Sequence, residues 1–132
     1  MQASVNAYHQ SQVLSDNPDY LGRELYRAVY RDLLGMESAL KAQRWDQLVN
    51  LGSHAQLIVS ALHDNANTET KEGMAFKTAH RAMWQMLNDV MRKHEMESLT
   101  DLTETVTELI HQLDYRLKQP AAQEVAVLGW SG

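Results

Sequence analysis

From Leu21 onward, apolar residues return every three or four positions, at Leu21, Leu25, Val29, Leu33, Met36 and Leu40, with mostly polar side chains between them. That interval keeps one face of an α-helix apolar and predicts a first helix running to about Ala42. Asn17-Pro18 marks its start. Asparagine can accept from exposed N–H groups, and proline is favoured at the first helical position, where a missing donor costs nothing.

A second stripe, Leu48, Leu51, Ala55, Ile58 and Leu62, follows Trp45 and fades into "HDNANTET". The short polar side chains of that stretch compete for backbone hydrogen bonds and favour a turn. A third helix is expected from about Lys71 to His94, with Met74, Ala79, Met83, Met86, Leu87, Val90 and Met91 on its apolar face and Phe76 and Trp84 beside them. The fourth begins at Ser98, read with Asp101 as a capping box, and carries Leu99, Leu102, Val106, Leu109, Ile110, Leu113 and Leu117 before Pro120 closes it.

Gly35, Gly52 and Gly73 fall within or near these helices. Each costs about 1 kcal/mol relative to alanine unless close packing offsets it, and Gly73 reads equally as a boundary. No stretch outside the short "EVAVLGW" tail alternates with a period of two. The expected fold is therefore all-α: an antiparallel up-down four-helix bundle with short connections and an extended N-terminal segment. The chain divides into a cap segment (1–16), a helical bundle domain (17–118) and a C-terminal tail (119–132).

Composition narrows the function classes. With 132 residues the chain can bury one core. A net charge of -5 argues against a nucleic-acid module, which needs clustered cations to neutralise phosphates. The absence of cysteine removes thiol catalysis and Cys-ligated zinc and is compatible with a reducing compartment. "MQASVNAYHQ" has neither the basic start nor the apolar run of a secretory signal. No apolar run approaches the ~20 residues that span a bilayer. The expectation is a cytoplasmic protein without membrane insertion.

Candidate chemistry is sparse. Glu108 and His111 stand in the Glu-x-x-His spacing of carboxylate-bridged di-metal bundles, but no other helix supplies the second copy, and the competing reading is an exposed acid and a boundary histidine. There is no Gly-x-Ser-x-Gly elbow and no phosphate-binding glycine loop. The chain is expected not to be an enzyme and to need no cofactor or metal.

Arg23, Arg27 and Arg31 make a basic line along the first helix, read as a solvated face balanced by Glu24, Asp32 and Glu37. Met74, Met83, Met86, Met91 and Met96 crowd the third helix and its end. They suit either a core stripe or a groove that receives another helix.

The leading segment adds a pattern. Ala7-Tyr8, then Gln12-Val13, then Asn17-Pro18 with Leu21 and Leu25-Tyr26 resemble the N-terminal signature of the flagellar secretion chaperone family, FliS. "HAQLIVSAL" is similar to the family's second helix, and "GMAFKTAHRAMWQML" and "LTDLTETVTELIHQL" fall in the places of its later helices. The likeness spans about Ala7 to Leu117, with Asn17 and Tyr20 standing where the family usually has Ser or Thr and an acidic residue.

The resemblance implies an export chaperone that binds the C-terminal helices of flagellin. It would prevent premature polymerisation and deliver its client to the flagellar type III export gate. It also implies that Ala7, Tyr8 and Val13 lie over the client groove until displaced, the alternative being a Tyr8 packed permanently on the bundle end. With Ile58 and Leu62 of the second helix and Met83, Met86 and Val90 of the third, these are the candidate partner-binding residues. Other readings are a helical adaptor or regulatory homodimer that never touches flagellin, and a metal-dependent bundle enzyme. Trp130 in the tail offers an anchor for self-docking or a partner.

Overall fold

The computed structural model describes residues 18–119 and arranges them as four helices: α1 (Pro18–Lys41), α2 (Trp45–Asp64), α3 (Lys71–Lys93) and α4 (Met96–Leu117). Ala7, Tyr8, Val13 and Trp130 lie outside the described residues, so the expected cap and tail anchor do too. α1 packs against α2 and α4, and α3 against the same two helices, so the four close a ring whose thinnest seam is α3–α4. Connections at 42–44 and 94–95 leave little choice but antiparallel neighbours. The expected bundle is what forms.

The buried side chains explain why. In α1 they are Tyr26, Val29, Leu33, Met36 and Leu40; in α3 the row is His80, Met83, Leu87 and Val90; in α4 it is Leu99, Leu102, Val106 and Leu113. Intervals of three and four keep each row on the inner face of a slowly supercoiling helix. α2 contributes Leu48, Ala55, Ile58, Val59 and Leu62 to the same core.

Helix ends obey local chemistry. Thr70 caps α3 by accepting from the Gly73 N–H at 2.9 Å. Asn67 Oδ1 accepts from the Glu69 N–H at 3.0 Å, and Asn65 Nδ2 donates to the Ala61 carbonyl at 2.7 Å, so the polar loop does satisfy its own backbone. Gly73 lies inside the first turn of α3 rather than at a boundary, and a Cβ there would sit 1.6 Å from the Asn67 carbonyl oxygen. The close approach of loop to helix needs glycine. α3 stops at His94, whose φ of 57° turns the chain into α4.

Two expectations need correction. α4 starts at Met96 with Glu95 as its N-cap, and Ser98 sits inside the first turn, donating to Glu95 Oε2 at 2.8 Å. A serine three residues after an acid can hydrogen-bond backwards, and that contact displaces the capping box read from Ser98 and Asp101. The arginine line is not all solvated either. Arg23 Nη1 lies 2.9 Å from Asp114 Oδ1, and Arg27 Nη2 lies 3.6 Å from the same oxygen, so both turn toward α4. Arg31 alone of the three is exposed. One turn further along the seam, Arg116 Nε donates to the buried Asp19 Oδ2 at 2.9 Å. These ion pairs bind the two helices that meet at the chain's ends.

Candidate functional site

Trp84 falls just outside the inward row of α3, and Leu57 sits on the side of α2 away from its buried row, so neither reaches the core. Leu57 is 70% exposed and Trp84 37%. Gln56 Nε2 donates to the Trp84 carbonyl at 3.2 Å and joins the two helices at this level. At Trp84 opens a cleft of about 150 Å³, lined by Val59, Ser60, His63, His80, Arg81 and Trp84. It combines an apolar wall with a few polar groups, the usual make-up of a recognition site.

The floor of the cleft is polar and buried. His80 is completely enclosed and shares a hydrogen bond through Nε2 with the Tyr26 hydroxyl, which reaches across the bundle from α1. The Tyr26 and Phe76 rings flank it at 5.8 and 6.1 Å. Burial, and then the neighbouring His63, push the His80 imidazole down to about 4, so it stays neutral at neutral pH. Burial likewise raises the Tyr26 phenol far above its ordinary range.

Arg81 brings a cation to the rim, on a helix rich in them. α3 carries Lys71, Lys77, Arg81, Arg92 and Lys93 against only Glu72 and Asp89, in a chain whose net charge is -5. Arg81 forms no ion pair with any described residue and remains available to a partner. α4 is the acidic counterpart, with five carboxylates and one arginine.

A second exposed apolar group lies toward the start of α2, where Val49 is 45% and Trp45 40% exposed; Leu34 of α1 is similarly open, at 46%. Trp45 stacks flat on His94, with ring centroids 3.9 Å apart and planes within 1°. The stack ties the beginning of α2 to the α3–α4 turn. Elsewhere, Asp32 is buried on α1 and accepts from His54 Nδ1 at 2.6 Å; burial raises its carboxyl, against the opposing pull of His54 and Arg31.

Of the partner-binding residues expected from the sequence, Ile58, Leu62, Met83 and Val90 belong to the bundle's own core, and Met86 is half-buried against it. Large apolar side chains that a partner can reach on α2 and α3 include Leu57, Trp84 and, toward the start of α3, Met74 at 51% exposure, besides Trp45 and Val49. The buried pair at the cleft was missed, although its signal was present: Tyr26 is three residues before Val29, and His80 three before Met83. Both continue the inward rows, although each carries a polar group that a purely apolar stripe leaves out. Ala79, expected on the apolar face, is exposed.

Among the described residues, no group of three or more His, Asp or Glu is placed to hold a metal ion, and Glu108 and His111 lie exposed on α4. No described helix is long and apolar enough to cross a membrane. No family model matches the chain, and no curated protein matches it.

Proposed function

We propose that the chain is a cytoplasmic, non-catalytic export chaperone that binds the C-terminal helical region of flagellin, holds it unpolymerised and delivers it to the flagellar type III export gate. The observation that carries this reading is the exposed apolar surface of α2 and α3, where Trp84 lines a cleft with cationic Arg81 at its edge and Leu57 stands open on α2. An amphipathic client helix would lay an apolar side chain into that cleft and set its polar flank against Arg81. Support also comes from the order of motifs, Ala7-Tyr8, Asn17-Pro18 and Leu25-Tyr26, which resembles the FliS pattern.

A filament subunit carries helical faces meant for its neighbours, and covering them before export requires binding without covalent chemistry. In this reading the contact residues are Leu57, Trp84 and the accessible part of Met86, with Tyr8 and Val13 competing for the same surface.

The test is calorimetry of the full chain with a flagellin C-terminal peptide. A one-to-one complex that Leu57→Ser and Trp84→Ala weaken together is the expected result. Absence of heat with both partners at concentrations of tens of micromolar, corresponding to less than about 6–7 kcal/mol of binding, would remove the proposal. Light scattering separates the adaptor alternative, because an obligate homodimer does not convert to a one-to-one complex.

A further inference from the structure

The two helices that border the cleft differ in charge along the edge where they meet. Arg81 and Trp84 line the cleft, which puts the row Lys77, Arg81, Trp84, Asn88 and Arg92, spaced by three and four, on the α2-facing edge of α3. The facing edge of α2 is polar but uncharged. Ser53 Oγ donates to Met91 Sδ at 3.9 Å, Gln56 to the Trp84 carbonyl, and Ser60 and His63 line the cleft. α2 holds no lysine or arginine, and its two carboxylates, Asp46 and Asp64, stand at its ends. On α3, Asp89 lies 3.7 Å from Lys93. No described carboxylate is ion-paired with Lys77, Arg81 or Arg92. Three cations without carboxylate partners thus run along one groove of a chain whose net charge is -5.

On the reading of this face as a client site, we propose that the α2–α3 groove selects an acidic amphipathic helix, with its apolar row on Trp84 and its carboxylates against Lys77, Arg81 and Arg92. Geometry favours a helix. The backbone groups of α2 and α3 are consumed within those helices and leave no strand edge to extend, so recognition runs through side-chain ridges at helical intervals. Lys77 and Arg81 stand about 6 Å apart along the axis and Arg92 about 16 Å further on. One helix lying along the groove reaches all three with carboxylates at the same intervals. The cleft, at about 150 Å³, has room for one benzene-sized apolar side chain. That contact supplies affinity, while exposed ion pairs decide which helix is accepted. The chain's own ends are poor occupants, because residues 1–17 and 120–132 carry one acidic side chain each, Asp16 and Glu124.

The probes are two helical peptides with the same leucine row, one with glutamate and one with glutamine at the three positions that match the cations. Each is titrated into the full chain by calorimetry, beside the flagellin C-terminal peptide. At low salt the glutamate peptide should bind about ten-fold or more tighter, the margin that three exposed pairs supply together; about 0.5 M sodium chloride should erase it. The triple variant Lys77→Gln, Arg81→Gln, Arg92→Gln should erase it too, and all three side chains lie outside the core. Arg31→Gln, Lys41→Gln, Lys118→Gln, an equal change of charge at exposed positions outside the groove, should preserve it.

Equal affinity of the two peptides overturns the proposal, as does a margin that survives the groove variant. Flagellin peptide bound undiminished by that variant and in high salt would leave the client reading standing and remove the charge selection. The glutamate peptide binding where the flagellin peptide gives no heat would do the opposite. Salt-sensitive self-association in light scattering, lost in the groove variant, would assign the groove to the acidic α4 of a second copy. Co-sedimentation with phosphatidylglycerol vesicles, without peptide binding, would assign it to a membrane surface. Either result overturns the helix.

Discussion

Acid should weaken this bundle through His80. His80 is neutral in the folded state, with a pKa pushed down from 6.5 to about 4. The groups that face it are the Tyr26 hydroxyl from α1 and His63 from α2, with Arg81 next to it on α3; none of them offers a carboxylate to stabilise a proton on the ring. Above the unfolded value, His80 is neutral in both states and its contribution to stability is complete. As pH falls between the two values, the unfolded chain binds a proton that the folded one refuses.

Stability should then drop with a slope approaching about 1.4 kcal/mol per pH unit, and the total loss below the folded value is about 3 kcal/mol. Set against a total of about 5–15 kcal/mol for a domain, that is a large fraction. Asp32 works the other way: its raised carboxyl makes the folded state the better proton acceptor at low pH, so acidification through its range adds stability. Only the difference between two proteins therefore isolates His80.

The assay is urea unfolding of the native chain and of His80→Gln, followed by helix dichroism from about pH 7 to pH 4.5. The native chain should lose stability over this range and the variant should lose markedly less. Parallel curves would refute the reasoning, as would an NMR titration placing the folded His80 at its ordinary value.

Three further outcomes follow from the packing. Gly73→Ala should destabilise by about 1–3 kcal/mol despite alanine's better helix propensity, because the added carbon meets the Asn67 carbonyl and the loop must move; thermal unfolding reads this, and a stabilised variant contradicts the close approach. Thr70→Ala should cost about 1 kcal/mol through loss of the cap on the Gly73 N–H, visible as a lower urea midpoint with unchanged slope. Arg116→Leu should be more damaging than Lys41→Leu, since it removes a charge-assisted hydrogen bond of the buried Asp19 carboxylate, worth about 1.5–3 kcal/mol, while the Lys41–Glu37 pair is exposed at 2.8 Å and contributes a few tenths of a kcal/mol.

Periodicity made the four helices legible, because burial on one face imposes the same three-and-four spacing whatever the apolar residue. It served less well where a polar side chain occupied an inward position. Tyr26 and His80 continue their rows without interruption, and each is tolerated in the core because it hydrogen-bonds to the other. That pairing joins positions 54 residues apart on non-neighbouring helices of the ring, and no local pattern announces it. The same limit explains the arginines: an i, i+4 line looks solvated until α4 brings Asp114 beside it. Ile58, Leu62, Met83 and Val90 are apolar and inward-facing, and the same property that suits a partner's surface puts them in the bundle's own core.

The thin α3–α4 seam sets the order in which the ring comes apart. Three seams are broad, and α1–α4 is further riveted by Arg23, Asp114, Arg116 and Asp19. Opening along α3–α4 therefore sacrifices the least, and the molecule parts there as a book parts opposite its spine, with α1 and α2 as the binding. The pages it shows are Met83, Leu87 and Val90 on one side and Leu99, Leu102 and Val106 on the other. In hydrogen exchange, the amides of α3 and the start of α4 should exchange as a group before those of α1. Two of the residues the sequence nominated for contact, Met83 and Val90, thus become reachable in the opened form alone.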